Sequence, residues 1–209
     1  MNRPRKRTRL TAEVRRAQIL DAALVEFSAH GFEGATMDQI AQRTGITKAG
    51  IYAHFKSKET VFEALLVSNI FEQPIRAYWH WQEGDSLEQT VDRYLDAVYQ
   101  RILEPRVQAT FRLLVAESGR VPERIRRWRT EIFQPYAMRR QRQLDTCIAR
   151  GLLPDNVFSR TFSIVSAPTV MALLSQLFAG AGGGEAELTA IRDVHRQMLL
   201  TLLSAKDGQ

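Results

Sequence analysis

Residues 36–58 constrain the fold most, because this stretch encodes two short helices joined by a tight turn. Thr36 is a side-chain cap for the first helix, and Gln39 three residues later completes a capping box. Gly45 ends that helix at a position suited to a left-handed backbone, and Thr47 caps a second helix that runs to about residue 55. The pair forms a helix-turn-helix, a motif that lays its second helix in the major groove of DNA.

The outward-facing residues favour a DNA reader over other helical hairpins. Lys48 and Lys58 each follow a helix cap, where a cation opposes the helix dipole, and this double placement indicates a nearby anion such as DNA phosphate. Gly50 costs a helix about 1 kcal/mol relative to Ala. With Ala49 and Ala53 it predicts an almost bare surface that approaches base edges closely. The alternative for each residue alone is a solvated lysine or a tolerated glycine.

The charge of the chain is concentrated around this motif. Residues 1–58 hold 11 Lys and Arg against 5 Asp and Glu, whereas residues 59–209 hold 18 of each, so the net charge of +6 belongs to the first part. Such a basic region is the electrostatic footprint of a nucleic-acid partner. We interpret residues 1–10 as a basic flexible arm that contacts phosphates, or else as a solvated tail.

Composition argues against several other classes of protein. The apolar content of 44% and charged content of 25% are those of a globular protein. The single cysteine, Cys147, excludes an internal disulfide and is predicted to be a small buried hydrophobe. The histidines His30, His54, His80 and His195 are scattered singly, so no metal, cofactor or catalytic set is predicted. No run of about 18 apolar residues occurs, so we expect a cytoplasmic protein without a membrane span.

The segment TGITKAGIYAHFKSKETVF resembles the recognition segment of the TetR family of transcriptional regulators, and the resemblance extends over about residues 11–66. It implies an all-α fold with an N-terminal three-helix helix-turn-helix DNA-binding domain (residues 11–56) and a larger helical ligand-binding and dimerisation domain (residues 57–209). The resemblance also implies DNA contacts for eight residues. Phosphate or sugar would be contacted by Thr36, Thr47 and Tyr52. The residues nearest base edges would be Lys48, Ala49 and Gly50, and the flanking DNA backbone would be held by His54 and Lys58.

Helical periodicity continues to the end of the chain. The predicted helices cover residues 11–31, 57–71, 87–103, 106–118, 122–150 and 185–204, with a bend at Pro135. A further helix starts at Asp155 or Asn156, and Pro168 is expected to kink it or to redistribute its hydrogen bonds. The last two predicted helices, within residues 155–205, are both too apolar to leave one side exposed to water. A symmetric four-helix interface would bury them, which matches the dimer of the family.

The middle of the chain is rich in aromatic residues, which either fill a helical core or line a small-molecule cavity. The resemblance implies a cavity in this region. The candidate ligand-binding residues are Trp79, Tyr94, Tyr99, Phe111, Glu117, Trp128 and Phe133. Glu117 ends an apolar run, where a buried carboxylate needs a partner, either an arginine such as Arg112 or Arg120 or a cationic ligand. The cluster Arg124, Arg126, Arg127 and Arg129 is interpreted as a solvated helix face, and the alternatives are a gate for an acidic ligand or a subunit contact.

Three functional classes follow from these patterns. The first is a homodimeric DNA-binding transcriptional regulator, expected to be a repressor that a small, largely apolar or aromatic ligand releases from a pseudo-palindromic operator. The second is an architectural or constitutive DNA-binding protein with no effector. The third, a helical enzyme, has no motif to support it.

Overall fold

The chain folds into helices that form two compact units, Met1–Leu66 and Val67–Gln209, in a computed structural model of the protein. The structure describes residues 11–71, 84–120, 122–180 and 183–204, and no strand occurs among them. The predicted all-α fold class is therefore confirmed. The predicted basic arm, residues 1–10, and the candidate ligand residue Trp79 lie outside the described residues.

The first unit contains the helix-turn-helix. Its helices are α1 (Ala12–Gly34), α2 (Met37–Thr44), α3 (Lys48–Tyr52) and α4 (Lys58–Leu66). Phe27 of α1, Phe32 near its end and Phe62 of α4 form one ring cluster, with centroids 5.2 to 5.6 Å apart. Because these rings join α4 to α1, the first unit ends at residue 66, beyond the expected domain boundary at residue 56.

The caps form as the sequence predicted. The amide of Gln39 donates to Thr36 Oγ1 over 3.2 Å, and the amide of Thr36 donates back to Gln39 Oε1 over 2.8 Å, which completes the capping box. Gly45 has a φ of 70° and ends α2 in the left-handed region. Thr47 Oγ1 accepts from the amide of Gly50 over 3.1 Å and so begins α3. Local side-chain chemistry therefore sets the turn between the two helices.

Two helix ends differ in detail from the prediction. α3 ends at Tyr52 rather than near residue 55, because the amide of His54 donates to the carbonyl of Ile51 and tightens the last turn. The backbone leaves the helical path at Gly31, as expected from its φ of 68°, but one more helical turn follows before α1 ends at Gly34.

The second unit contains longer helices. They are a π-helical turn (Val67–Phe71), α5 (Leu87–Ile102), α6 (Pro105–Ser118), α7 (Pro122–Trp128), a second π-helical turn (Arg129–Phe133), α8 (Gln134–Ala149), α9 (Phe162–Ala179) and α10 (Glu185–Ser204). Leu95, Leu144, Leu199 and Leu203 are among the core residues that join α5, α8 and α10. Cys147 is buried in the same core, as predicted.

The start of α9 was predicted wrongly. Asn156 does not cap a helix: its side chain accepts from the amides of Phe158 and Ser159 over 3.0 and 2.9 Å and donates to the Leu202 carbonyl over 2.9 Å. These bonds hold a turn against α10, so that α9 begins only at Phe162. The helix then continues through Pro168.

Apolar side chains of α9 and α10 are exposed on the second unit. Phe178 is 81% exposed, Val194 67% and Met171 58%. Among the described helices, α9 is long and apolar enough to cross a membrane by length and composition alone, a criterion that core helices of proteins outside membranes also meet. Exposed apolar surface of this kind marks an interaction site.

A buried histidine joins α5, α9 and α10. Tyr99 donates its hydroxyl proton to His195 Nδ1 over 3.2 Å, and His195 Nε2 donates to the carbonyl of Val165 over 2.8 Å. Burial favours the neutral imidazole, whose Nδ1 accepts from Tyr99 while Nε2 carries the proton that it donates to Val165. Burial lowers the pKa of His195 and raises the pKa of Tyr99 to about 12.

The neutral imidazole makes stability depend on pH. Because the folded pKa of His195 is depressed, its contribution to the free energy of unfolding is fully present above about pH 6.5 and is lost as the pH falls below that value. His195→Gln keeps one donor and one acceptor but does not titrate. In urea unfolding, we expect the wild type to lose stability more steeply than the variant below about pH 6.5. Parallel pH dependences would contradict this assignment.

Candidate nucleic-acid interface and ligand cavity

The outer surface of α3 and its cap carries most of the predicted DNA-contacting residues. Thr47, Lys48, Ala49 and Tyr52 are exposed there, and Tyr52 is 44% exposed despite its large ring. One surface depression of the first unit brings together Thr36, Lys48, Tyr52 and Lys58. The arrangement offers hydroxyl groups and cations along one edge of the helix-turn-helix, as phosphate contacts require.

Lys48 has an anionic partner within the protein. Its Nζ lies 3.0 Å from Asp38 Oδ2 of α2, and this hydrogen bond raises the pKa of Lys48. The Asp38 carboxylate therefore accounts for the unfavourable position of the cation at the start of α3. Both side chains are about 60% exposed, at 60% and 62%, so the pair contributes little to stability and is free to exchange partners.

Lys58 has more contacts within the protein than Lys48. Its position after a helix cap, which predicts a nearby anion from sequence alone, is explained by these contacts. Its Nζ donates to the carbonyls of Glu33 and Ala35 over 3.1 and 2.8 Å and lies 4.6 Å from the centre of the Phe32 ring. These carbonyls lie at the end of α1, so Lys58 joins the end of α1 to the start of α4. A DNA phosphate is not needed to explain either lysine.

Gly50 and His54 have closer contacts with neighbouring residues of the first unit than the sequence suggested. A Cβ on Gly50 would lie 3.3 Å from Thr47 Oγ1, so the glycine spares the helix cap rather than only baring an outer surface. His54 is half-buried, and its carbonyl accepts from Arg16 Nη1 over 2.8 Å. Arg16 also lies over the Phe55 ring at 4.2 Å. Sequence reasoning missed Arg16 as part of this surface, although its place in the basic region was a signal.

The second unit contains a separate cavity of about 170 Å³. Two predicted ligand residues, Tyr94 and Phe133, lie in its wall, and Trp128 stacks on Phe133 with 5.8 Å between ring centres. Tyr99 instead binds His195 and borders a more open cleft. Phe111 is half-buried and is not part of the cavity wall within the described chain.

The remaining charged candidates form ion pairs. Glu117 is buried, and its Oε1 lies 3.7 Å from Arg120 Nη1, which selects Arg120 from the two arginines considered. In the arginine cluster, Arg126 pairs with Glu123, and Arg127 pairs with Glu131 over 2.9 Å. Arg126 and Arg127 are exposed, as expected of a solvated helix face.

Two arginines that sequence reasoning missed lie in the cavity wall. Arg101 donates from Nη2 to the carbonyls of Ser68 and Asn69 over 3.1 and 2.6 Å, and from Nη1 to Glu104 over 3.3 Å. Arg140 donates to Gln143 over 3.1 Å. Both occupy inward positions of apolar helical stripes, and a charge at such a position was the available signal. Among the described residues, no group of His, Cys, Asp or Glu is arranged to hold a metal.

Comparison with known proteins agrees with this geometry. The sequence model of bacterial regulatory proteins of the tetR family matches residues 19–65. SrpR and TtgW, two HTH-type transcriptional regulators of Pseudomonas putida, are each 38% identical over 96 residues, or 45% of this chain. The match spans 70% of TtgW, which is described as uncharacterized, but only 44% of SrpR, less than two thirds of that regulator.

The fold extends the likeness to most of the chain. The crystal structure of a TetR family transcriptional regulator from Pseudomonas syringae pv. tomato superimposes with a TM-score of 0.64. The superposition covers 89% of this chain and 95% of the other, at 21% sequence identity. At that identity the likeness concerns the fold only.

The contacts of Lys58 lead to a test of its structural role. We expect Lys58→Met to lower the free energy of unfolding by about 1–2 kcal/mol, because two carbonyls lose a charged donor. Lys56→Met removes a cation from an exposed neighbouring position and should change it by less than about 0.5 kcal/mol. Urea unfolding of both variants provides the comparison, and equal stabilities would contradict the structural role of Lys58.

Proposed function

Because the chain belongs to the TetR family of bacterial transcriptional regulators, we propose that it is a homodimeric repressor released from a pseudo-palindromic operator by a small ligand. Like its relatives, the chain is a transcriptional regulator and not an enzyme. We propose double-stranded DNA as its macromolecular partner, and a regulator bound to the bacterial chromosome would lie in the cytoplasm. The operator would be read by the first unit and the ligand bound by the second.

The helix-turn-helix is the observation that carries the proposal. The left-handed Gly45 ends α2 at the turn and the Thr47 side chain caps α3, and Thr47, Lys48 and Tyr52 are exposed along α3 and its cap. A recognition helix of this kind enters the major groove while flanking hydroxyls and cations contact phosphates. Lys48 would then exchange Asp38 for phosphate, since their exposed pair contributes little to stability.

The exposed apolar face of α9 and α10 supports the dimer. Pairing this face with its copy would give a four-helix interface through residues 155–205 and would bury Phe178, Met171 and Val194. A twofold axis would present two recognition helices to successive major grooves about 34 Å apart. The partner subunit would then cover the apolar side chains of α9 that a single subunit leaves exposed.

The cavity supports the response to a ligand. An occupant that fits best when the two DNA-binding units are spread would shift the dimer away from the operator spacing. An architectural protein without an effector would be expected to have a closed core. The cavity of about 170 Å³ therefore favours the ligand-responsive regulator.

DNA recognition by α3 is tested by selection from random duplexes. We expect a pseudo-palindromic sequence to be enriched, and Tyr52→Ala to weaken binding to it by about tenfold through loss of a backbone contact. Arg150→Ala, which removes an exposed cation from the second unit, is the control and should leave affinity within about twofold. If the chain enriches no sequence and ignores DNA at low salt, the proposal is wrong.

Dimerisation is tested by placing a charge on the apolar face. We expect the wild type to sediment at twice the chain mass of 23.8 kDa and Phe178→Glu to sediment as a monomer, because a buried unpaired carboxylate opposes association. Val115→Glu alters a residue of α6 that is 43% exposed and should remain dimeric. A wild type that is monomeric at micromolar concentration would contradict the proposed interface.

A further inference from the structure

We propose that the effector is a small organic anion, a carboxylic acid with an apolar body of about one aromatic ring, whose carboxylate binds between Arg101 and Thr169. The inference rests on the proposed function only in identifying the cavity as the effector site. It goes beyond that function in assigning the charge and size of the ligand.

Arg101 carries the argument, because its guanidinium is buried and incompletely bonded. The residue is 8% exposed and lies in the cavity wall. Its two terminal nitrogens bind carbonyls and the half-exposed Glu104, whereas its Nε has no hydrogen-bond partner within the described part of the chain. A buried donor on a charged group is costly to leave unbonded, so the site calls for an acceptor.

Two further residues of the wall, Thr169 and Arg140, complete the proposed anion site. Thr169 of α9 has a buried hydroxyl that lacks a partner among the described residues. Arg140 of α8 is 5% exposed, lies in the same wall and has its guanidinium 5.1 Å from the Tyr136 ring centre. The described wall contains no Asp or Glu. Guanidinium and hydroxyl donors in the wall of one cavity match a carboxylate, which accepts charge-assisted and bidentate hydrogen bonds.

The rest of the wall sets the body of the ligand. Val98, Phe133, Phe162 and Val165 provide apolar surface on several helices. A cavity of about 150 Å³ is known to hold benzene, so about 170 Å³ accommodates one ring with a short acidic arm. A water molecule can satisfy Arg101 Nε, but it supplies no negative charge.

The same guanidinium holds the turn that follows α4. Arg101 Nη2 binds the carbonyls of Ser68 and Asn69 in the first π-helical turn, and Asn69 is buried and donates to Thr110 over 2.9 Å. A carboxylate on Arg101 would compete with these carbonyls for the guanidinium. Binding of an acid in the cavity would therefore alter the hold on the turn, whereas a neutral ring would not.

The inference is tested with three ligands of one shape and different charge. Isothermal titration calorimetry of the full chain with phenylacetate, phenylacetamide and phenethylamine measures each dissociation constant without DNA. We expect phenylacetate to bind at least about tenfold more tightly than the amide, because hydrogen bonds to charged groups are the stronger ones. The amine should bind most weakly of the three.

Variants then locate the charge recognition. Arg140→Met should weaken phenylacetate binding by about tenfold and leave the amide within about twofold, whereas Thr169→Val, which removes a neutral donor, should weaken both ligands. Arg142→Met removes an exposed cation from the same helix and is the matched control. Thr169→Val conserves shape, so it remains informative if Arg140→Met does not fold.

Two results would overturn the inference. One is equal affinity for the acid and the amide, and the other is an absence of phenylacetate binding at millimolar concentration. Neither result would contradict the proposed function. Tight binding of the amide or the amine would still indicate a ligand-responsive regulator, and selection of an operator would still indicate a DNA-binding regulator. A wild-type chain that binds no DNA but binds phenylacetate selectively would contradict the proposed function and support the inference about the ligand.

Discussion

The buried Arg101 guanidinium is the interaction on which the second unit depends most. A charge that is removed from water must be paired or hydrogen-bonded. Here the carbonyls of Ser68 and Asn69 and the carboxylate of Glu104 bond the two terminal nitrogens and leave Nε for an occupant of the cavity. The π-helical turn Val67–Phe71 is thereby joined to α5 and to the wall of the cavity. Such π-helical turns occur often at functional sites. In this protein the turn lies where the chain passes from one compact unit to the other.

The first unit is organised by local interactions instead. Capping side chains fix α2 and α3, and a cluster of three phenylalanines fixes α1 and α4. The two lysines of this surface have different roles within the protein. Lys58 is committed to backbone carbonyls, whereas the exposed pair of Lys48 with Asp38 can open to phosphate at little cost. DNA affinity is therefore expected to depend on Lys48 through exchange of its partner.

Sequence reasoning succeeded where a structure is set by nearby residues and failed where it depends on distant ones. Gly45 and the caps on either side of it predicted the turn, and α10 begins and ends where its apolar period does. The start of α9 was missed because Asn156 bonds to Leu202, far away in the chain. The aromatic content indicated a cavity, but only packing shows that Tyr94 lines it and Tyr99 does not. Arg101 was recognisable only as a charge on an inward stripe.

Occupancy of the cavity is expected to control DNA binding, and operator affinity with and without ligand is the measurement that decides it. The dissociation constant for the selected operator is measured in the absence of phenylacetate and at a concentration that calorimetry shows to be saturating. Coupling between two sites of a protein commonly amounts to about 5–150-fold, and we predict that saturation weakens operator binding by at least about tenfold. An operator affinity that stays unchanged when the cavity is full would contradict the account.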